Sequence, residues 1–126
     1  MATLGEGNPV ELFNMHVAHV GINAENPEEA REFADQFAAL LGLPVRETPI
    51  SFFSDTLVET MKQNGRGVHG HIGLAVNDTA AAEEWLRARG VEFIEESRVL
   101  ADDGSTFLIY LKQQFGGFAI HLSQGK

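Results

Sequence analysis

Apolar residues recur at helical spacing in two stretches of the chain and alternate with polar residues in most of the remainder. The first helical stretch follows Asn26 and Pro27, which suit the N-cap and the first helical position, and it ends at Gly42. The second follows Asp78, another N-cap candidate, and Gly90 is placed as its left-handed C-terminal residue. These patterns predict two amphipathic helices.

The alternating stretches predict strands in the same order in each half of the chain: one strand, the helix, then three strands. Pro and Gly residues supply the breaks between them. We place the three later strands at 45–47, 50–53 and 56–61 in the first half, and at 91–97, 105–112 and 118–123 in the second. Residues 1–14 show no clear periodicity, and we interpret them as an N-terminal arm or linker.

An internal repeat supports this division of the chain. The segment His19–Ile22 recurs as His71–Leu74, and each copy leads into one of the predicted helices. We therefore expect a single domain over residues 15–124, made of two βαβββ modules at 15–64 and 68–124. Each module has one sheet face covered by its helix, so the pair should form a curved mixed sheet around a cup. The predicted fold class is α+β.

Strand parity predicts which polar side chains face this cup, because successive side chains of a strand point to opposite faces. The apolar neighbours of His19 belong under the helix, so His19 itself faces the cup, and the same reasoning applies to His71 and His121. Parity leaves Glu59 open, because either alternating set of its strand could be buried. We place Glu59 in the cup because it matches His121 in the other module.

These four residues form a candidate site for one divalent metal ion. The chain has no cysteine, so any ligands must be His, Asp or Glu. Three imidazoles and one carboxylate suit zinc, nickel, cobalt, manganese or iron, with water or substrate completing the shell. Each residue alone is better explained as a polar group on a solvated face, but the paired positions in the repeat favour a metal site.

Length and charge limit the partners that we expect. A chain of 126 residues can bury one sizeable core without disulfides. The net charge of −9, with nine basic and eighteen acidic residues, disfavours nucleic-acid binding. No apolar run approaches the roughly 20 residues of a membrane span, and Met1–Glu6 lacks the layout of a secretory signal. We expect a cytoplasmic protein whose partner is a small molecule or another protein.

The repeated modules, with ligand candidates on the first and last strand of each, resemble the vicinal oxygen chelate superfamily. This superfamily includes glyoxalase I, methylmalonyl-CoA epimerase, extradiol dioxygenases and fosfomycin resistance proteins. The likeness covers nearly the whole chain from Met15 to Gln124 and implies metal ligands at His19, Glu59, His71 and His121. Glyoxalase I has a glutamate, its proton-abstracting base, where His121 stands. A metal-bound imidazole has no free lone pair, which leaves Glu59 as the candidate catalytic base.

A closer likeness is to the glyoxalase-like domain that some bacteria fuse to 2-dehydro-3-deoxyphosphogluconate aldolase. Aldolase chemistry belongs to a separate barrel domain, which commonly takes about 250 residues, so we expect no aldolase site in this chain. The resembling phrases are Ala18–Asn23, Gly70–Ile72, Val91–Phe93, Ile109–Lys112 and Gly116–Leu122.

Two functions from different classes follow from the pattern and the resemblance. The first is a metal-dependent, glyoxalase-like isomerase or lyase that acts on a small oxygen-chelating substrate such as a sugar acid or hemithioacetal. The alternative is a non-catalytic metal- or ligand-binding module associated with a 2-keto-3-deoxy sugar-acid aldolase. A dioxygenase is less favoured, because four protein ligands differ from the triad of two histidines and one carboxylate.

Three further residues are candidate substrate contacts. His69 shares the parity of His71, and Tyr110 and Lys112 lie on the seventh predicted strand, where they could bind an anionic sugar acid. We interpret Gly65 and Gly67, on either side of Arg66, as giving flexibility to the connection between modules. Exposed sheet edges also predict a homodimer.

Overall fold

The computed structural model describes residues 7–63 and 65–125. Its eight strands form one mixed sheet in the order β2-β3-β4-β1-β5-β8-β7-β6, which confirms the predicted α+β architecture of two repeated modules. The elements in chain order are α1 (Pro9–Phe13), β1 (His16–Asn23), α2 (Pro27–Leu41), β2 (Val45–Glu47), β3 (Ser51–Ser54), β4 (Val58–Met61), β5 (Gly70–Val76), α3 (Thr79–Arg87), β6 (Phe93–Leu100), β7 (Thr106–Leu111) and β8 (Phe118–Gln124).

The helices α2 and α3 begin at the predicted caps. The Asn26 side chain accepts a hydrogen bond from the Glu29 N–H at 2.8 Å, and Asp78 accepts one from Ala81 at 3.0 Å. Gly42 ends α2 in the left-handed conformation, with φ of 68°. Helix α3 ends at Arg87, and Gly90, which is left-handed as predicted with φ of 89°, lies just beyond it. No helix in the described ranges is long and apolar enough to cross a membrane.

The structure shows a short helix, α1, in the segment that we interpret as an arm. Asn8 caps it by accepting a hydrogen bond from the Glu11 N–H at 3.1 Å. At its end the Phe13 carbonyl accepts one from the Asn77 N–H at 2.9 Å, and the Phe13 side chain packs against the core. Residues 1–6 lie outside the described residues, and the division at residue 15 stays a prediction.

The sheet is built around the antiparallel pairing of β1 with β5. Outside this pair, β4 lies parallel to β1, and β8 lies parallel to β5 in the equivalent place. The two modules therefore meet at their first strands, and their last strands flank that pair. The helices cover the outer face over two apolar clusters, whose buried members are Val76, Ala82, Phe93, Ile109, Leu111, Ile120 and Leu122 in one module and Ala24, Ala30, Ala34 and Phe52 in the other.

A charged cluster fixes α3 against β6. Glu83 is buried, with 10% of its side chain exposed, and its carboxylate accepts two hydrogen bonds of 2.9 Å from the Arg98 guanidinium. Arg87, one turn along α3, donates a further one at 2.9 Å. The hydrogen bonds from Arg98 are the main reason that the pKa of Glu83 lies below its ordinary value. The ionised carboxylate therefore holds the helix to the edge strand.

Removing the Arg98 side of this pair should destabilise the fold. We expect Arg98→Gln to lower the free energy of unfolding by about 1–3 kcal/mol, because the buried Glu83 carboxylate loses charge-assisted hydrogen bonds. The matched control is Arg31→Gln, which breaks an exposed pair with Asp35 and should change it by no more than about 1 kcal/mol. Urea unfolding followed by circular dichroism measures both values. Equal effects of the two substitutions would contradict the assigned role of Arg98.

Candidate metal centre

Gly21, in the middle of β1, lies opposite two of the predicted ligands. Its Cα partners are His71 on β5 and Glu59 on β4. A Cβ atom added at Gly21 would lie 2.0 Å from Cε1 of His71, far inside van der Waals contact. The imidazole of His71 therefore lies directly on the backbone of β1, and only glycine allows this approach.

Gly73, in β5, lies opposite the other two predicted ligands in the same way. Its Cα partners are His19 on β1 and His121 on β8. A Cβ atom at Gly73 would lie 2.7 Å from Cε1 of each of these rings. The repeat therefore places a glycine opposite every predicted ligand, and the two glycines leave the space in which the four side chains meet.

The four side chains approach one another closely. Nε2 of His71 lies 3.1 Å from Nε2 of His19 and 3.1 Å from Oε1 of Glu59. Nε2 of His19 lies 3.7 Å from the same carboxylate oxygen. One nitrogen from each of His19, His71 and His121 lies within 4.8 Å of the other two. The three histidines thus form the compact group, and Glu59 joins it through His71 and His19.

This geometry fits a divalent metal ion. Metal–nitrogen distances of about 2.0–2.1 Å place neighbouring ligand atoms about 3.3–3.4 Å apart in tetrahedral geometry and about 2.8–3.0 Å apart in octahedral geometry. The 3.1 Å separations at Nε2 of His71 lie between these two ranges. Nδ1 of His71 is buried without a hydrogen-bond partner among the described residues, so Nε2 makes the polar contacts of this ring. The donor set of three nitrogens and one carboxylate matches borderline divalent ions.

Hydrogen bonds from a short polar segment that contains Thr48 and Ser51 fix the Glu59 carboxylate. Ser51 is fully buried, and its hydroxyl donates a 2.6 Å hydrogen bond to Oε2 of Glu59. The Thr48 hydroxyl lies 2.8 Å from that of Ser51. Burial by itself raises the pKa of Glu59, but hydrogen bonds from His71 and Ser51 outweigh it, and the net pKa is lowered. Glu59 is therefore ionised at neutral pH, with Oε1 directed at the histidines.

His19 and His121 are biased towards the neutral form. Burial, helped by the nearby His19 and His71, lowers the pKa of His121 to about 4. Burial is also the largest cause of the lowered pKa of His19. Neutral imidazoles offer free lone pairs at physiological pH, which metal binding requires.

The site lies at the base of the cup, a cavity of about 400 Å³ on the concave face of the sheet. Such a volume suits a small molecule. The Tyr110 ring forms part of the wall, with its centroid 5.0 Å from that of His121. Burial raises the pKa of Tyr110 to about 12, so its hydroxyl stays protonated. The other residues that line the cup are Ile50, Phe53, Met61, Gly65, Arg66 and Leu108.

The structure brings one of the three predicted substrate contacts, Tyr110, into the cup. His69 precedes the first residue of β5, is exposed, and lies against Phe118 with 6.0 Å between ring centroids. Lys112 follows the end of β7, is exposed, and does not line the cup. Sequence patterns missed Ser51 and Arg66, whose positions depend on contacts between distant segments.

Solved structures share this fold. A hypothetical protein from Bacillus halodurans is 16% identical, with a TM-score of 0.59, over 89% of this chain and 95% of that one. A methylmalonyl-CoA epimerase in complex with methylmalonyl-CoA and NH4+ is 15% identical, with a TM-score of 0.58, over 88% and 94%. The methylmalonyl-CoA epimerase of Mycobacterium tuberculosis is 17% identical, with a TM-score of 0.57, over 87% of each chain. The chain has the vicinal oxygen chelate fold. No protein-family model and no curated protein sequence matches it.

The close contacts of Gly73 with the rings of His19 and His121 lead to a testable prediction. Gly73→Ala should weaken zinc binding at least about tenfold, because the added methyl group displaces the rings of His19 and His121. The control is Gly104→Ala, at a turn with φ of 86° and nothing within 4 Å of the added atom. It should cost about 1 kcal/mol of stability through backbone strain but leave zinc affinity unchanged. Titration against a competing chelator measures the affinities, and normal affinity in Gly73→Ala would contradict the crowding.

The buried histidines also predict a pH dependence of stability for the metal-free protein. His121 has its pKa lowered from 6.5 to about 4, so between these pH values the unfolded chain binds more protons than the folded one. Stability should therefore fall as the pH drops through that window, by up to about 1.4 kcal/mol per pH unit for one such group. His121→Gln should reduce this slope in urea unfolding at a series of pH values. An unchanged slope would show that His121 is not buried in the neutral form.

Proposed function

We propose that the protein is a divalent-metal-dependent, glyoxalase-like enzyme with isomerase or lyase chemistry. Its substrate is a small molecule, such as a sugar acid or hemithioacetal, that chelates the ion through neighbouring oxygens. The proposal rests on the convergence of His19, Glu59, His71 and His121 at the base of a small-molecule cup. One ion of zinc, nickel, cobalt, manganese or iron per site is the expected cofactor.

The ion would be held by these four side chains and would act as a Lewis acid that stabilises negative charge on a substrate oxygen. The chain's own residues supply the remaining chemistry. Glu59 is the sole carboxylate among the described residues that line the cup, and it is ionised and held by Ser51. We assign it the role of moving a proton at the substrate carbon beside the chelating oxygens. The protonated Tyr110 hydroxyl can donate a hydrogen bond to a substrate oxygen.

The structural neighbours agree with this reaction class. Two of the neighbours described above are methylmalonyl-CoA epimerases. Epimerisation at a carbon beside a carbonyl can proceed by removal and return of a proton, which is general acid–base chemistry.

A non-catalytic metal- or ligand-binding module, working beside a 2-keto-3-deoxy sugar-acid aldolase, is the second candidate. The argument in its favour is His121, an imidazole at the position where the resemblance to glyoxalase I implies a catalytic carboxylate. With a single carboxylate at the site, binding without turnover is chemically reasonable.

Metal content tests the site itself. Purified without chelators and loaded with zinc, the wild type should hold about one ion per chain by elemental mass spectrometry. His71→Ala should lose it, because Nε2 of His71 contacts both His19 and Glu59. His16→Ala, at an exposed histidine outside the cup, is the matched control and should keep its zinc. A wild type that takes up neither zinc, nickel nor manganese would overturn the proposal.

Solvent deuterium exchange separates the enzyme from the binding module. In D2O, the zinc-loaded wild type should incorporate deuterium into a sugar acid or hemithioacetal at the carbon beside the chelating oxygens, as seen by proton NMR. Glu59→Gln should slow this by about 10² or more, since it removes the base. Ligand binding without exchange in the wild type would favour the module.

We also propose that the protein forms a homodimer. The outer strands β2 and β6 end the sheet, and β6 with the adjoining β7 exposes Val99, Leu100 and Phe107. Covering these apolar side chains would favour association of two copies. Analytical ultracentrifugation would show a single species of one chain if this proposal is wrong.

A further inference from the structure

Arg66 brings a positive charge to the mouth of the cup. Its guanidinium carbon lies 4.8 Å from the centroid of the Tyr110 ring, and the ring of Tyr110 in turn lies 5.0 Å from that of His121. Arg66 is the one cationic side chain among the described residues that line the cavity. The aromatic wall therefore connects the candidate metal ligands with a single arginine.

The backbone on either side of Arg66 is fixed by Asn23, at the end of β1. The Asn23 side chain accepts a hydrogen bond from the Gly65 N–H at 3.1 Å and donates one to the Gly67 carbonyl at 3.0 Å. Gly67 has φ of 87°, and a Cβ atom there would lie 1.9 Å from the Gly70 carbonyl oxygen. The segment that the sequence suggested to be flexible is packed against the sheet, which directs Arg66 towards the cup.

The guanidinium is open to a ligand. Arg66 is exposed, and no carboxylate of the described residues forms an ion pair with it. Its planar set of N–H donors matches a carboxylate, which it can bind through two parallel hydrogen bonds. In a chain of net charge −9, an unpaired arginine at this position gives local attraction for an anion.

We propose that Arg66 determines specificity for a carboxylate-bearing substrate, binding that carboxylate at the mouth of the cup while neighbouring oxygens of the same molecule face the metal ligands. The substrate class is thus a small hydroxy or keto acid. This inference rests on the proposed function, because the second attachment point of the substrate is the metal ion. It transfers to Arg66 the anion-binding role that the sequence suggested for Lys112.

Two hydroxamates test this inference in the zinc-loaded protein. Acetohydroxamate and the monohydroxamate of succinic acid chelate zinc through the same pair of oxygens, but only the second carries a free carboxylate. Wild type should bind the carboxylate probe about tenfold more tightly by calorimetry. Arg66→Gln should reduce that preference to near unity and leave the affinity for acetohydroxamate unchanged. Arg66→Lys, which keeps the charge without the planar donors, should retain part of the preference.

Arg46→Gln is the matched control. The Arg46 guanidinium also lies 4.8 Å from an aromatic centroid, that of Phe53, but Arg46 does not line the cup. This variant should keep the wild-type preference, so any general effect of losing an exposed arginine is accounted for.

Each outcome bears on one of the two proposals. Equal affinities of the wild type for the two probes, or an unchanged preference in Arg66→Gln, would overturn the role of Arg66 while the metal site stands. A wild type that binds neither zinc, nickel nor manganese would overturn the proposed function and this inference together. Zinc stoichiometry is measured first in every variant, so the two failures are distinguished.

Discussion

The contact between the His71 imidazole and the bare backbone of Gly21 is the constraint on which the site depends. In the repeat, each histidine is followed two residues later by a glycine. Because β1 and β5 pair antiparallel, His71 lies opposite Gly21 and His19 lies opposite Gly73. The outer strands β4 and β8 then bring Glu59 and His121 to the same two glycines. Any larger residue at either glycine would separate the rings, so the glycines are as necessary as the ligands.

Burial and hydrogen bonding act in opposite directions on the pKa of Glu59, and their sum leaves a site that favours binding of a cation. Desolvation lowers the pKa of His19 and His121 and would raise that of Glu59, so it opposes charge on all three. Hydrogen bonds from Ser51 and His71 reverse the effect at Glu59 alone. The outcome is one ionised carboxylate beside two imidazoles, those of His19 and His121, whose lone pairs are available. A divalent ion placed there would satisfy groups that otherwise crowd one another.

The repeat and strand parity were sufficient to predict the sheet, the two main helices and the convergence of the histidines, because those features depend on local periodicity. Parity failed to place His69, since β5 begins one residue later and the alternation does not extend back to it. The helix α1 has only five residues and therefore shows no period. Arg66 was missed for a different reason: its direction depends on Asn23, which is far away in sequence.

The imidazole at His121 and the arginine at the cup mouth have related electrostatic consequences. Three imidazoles and one carboxylate would leave a bound divalent ion with about one uncompensated positive charge. A neutral chelating substrate would leave that charge uncompensated inside a buried site, whereas an anionic one would neutralise it. Arg66 adds a further positive charge at the entrance, on the wall shared with His121 through Tyr110. A donor set with a single carboxylate therefore favours a negatively charged ligand, and it makes Glu59 the one candidate for proton transfer among the four proposed ligands.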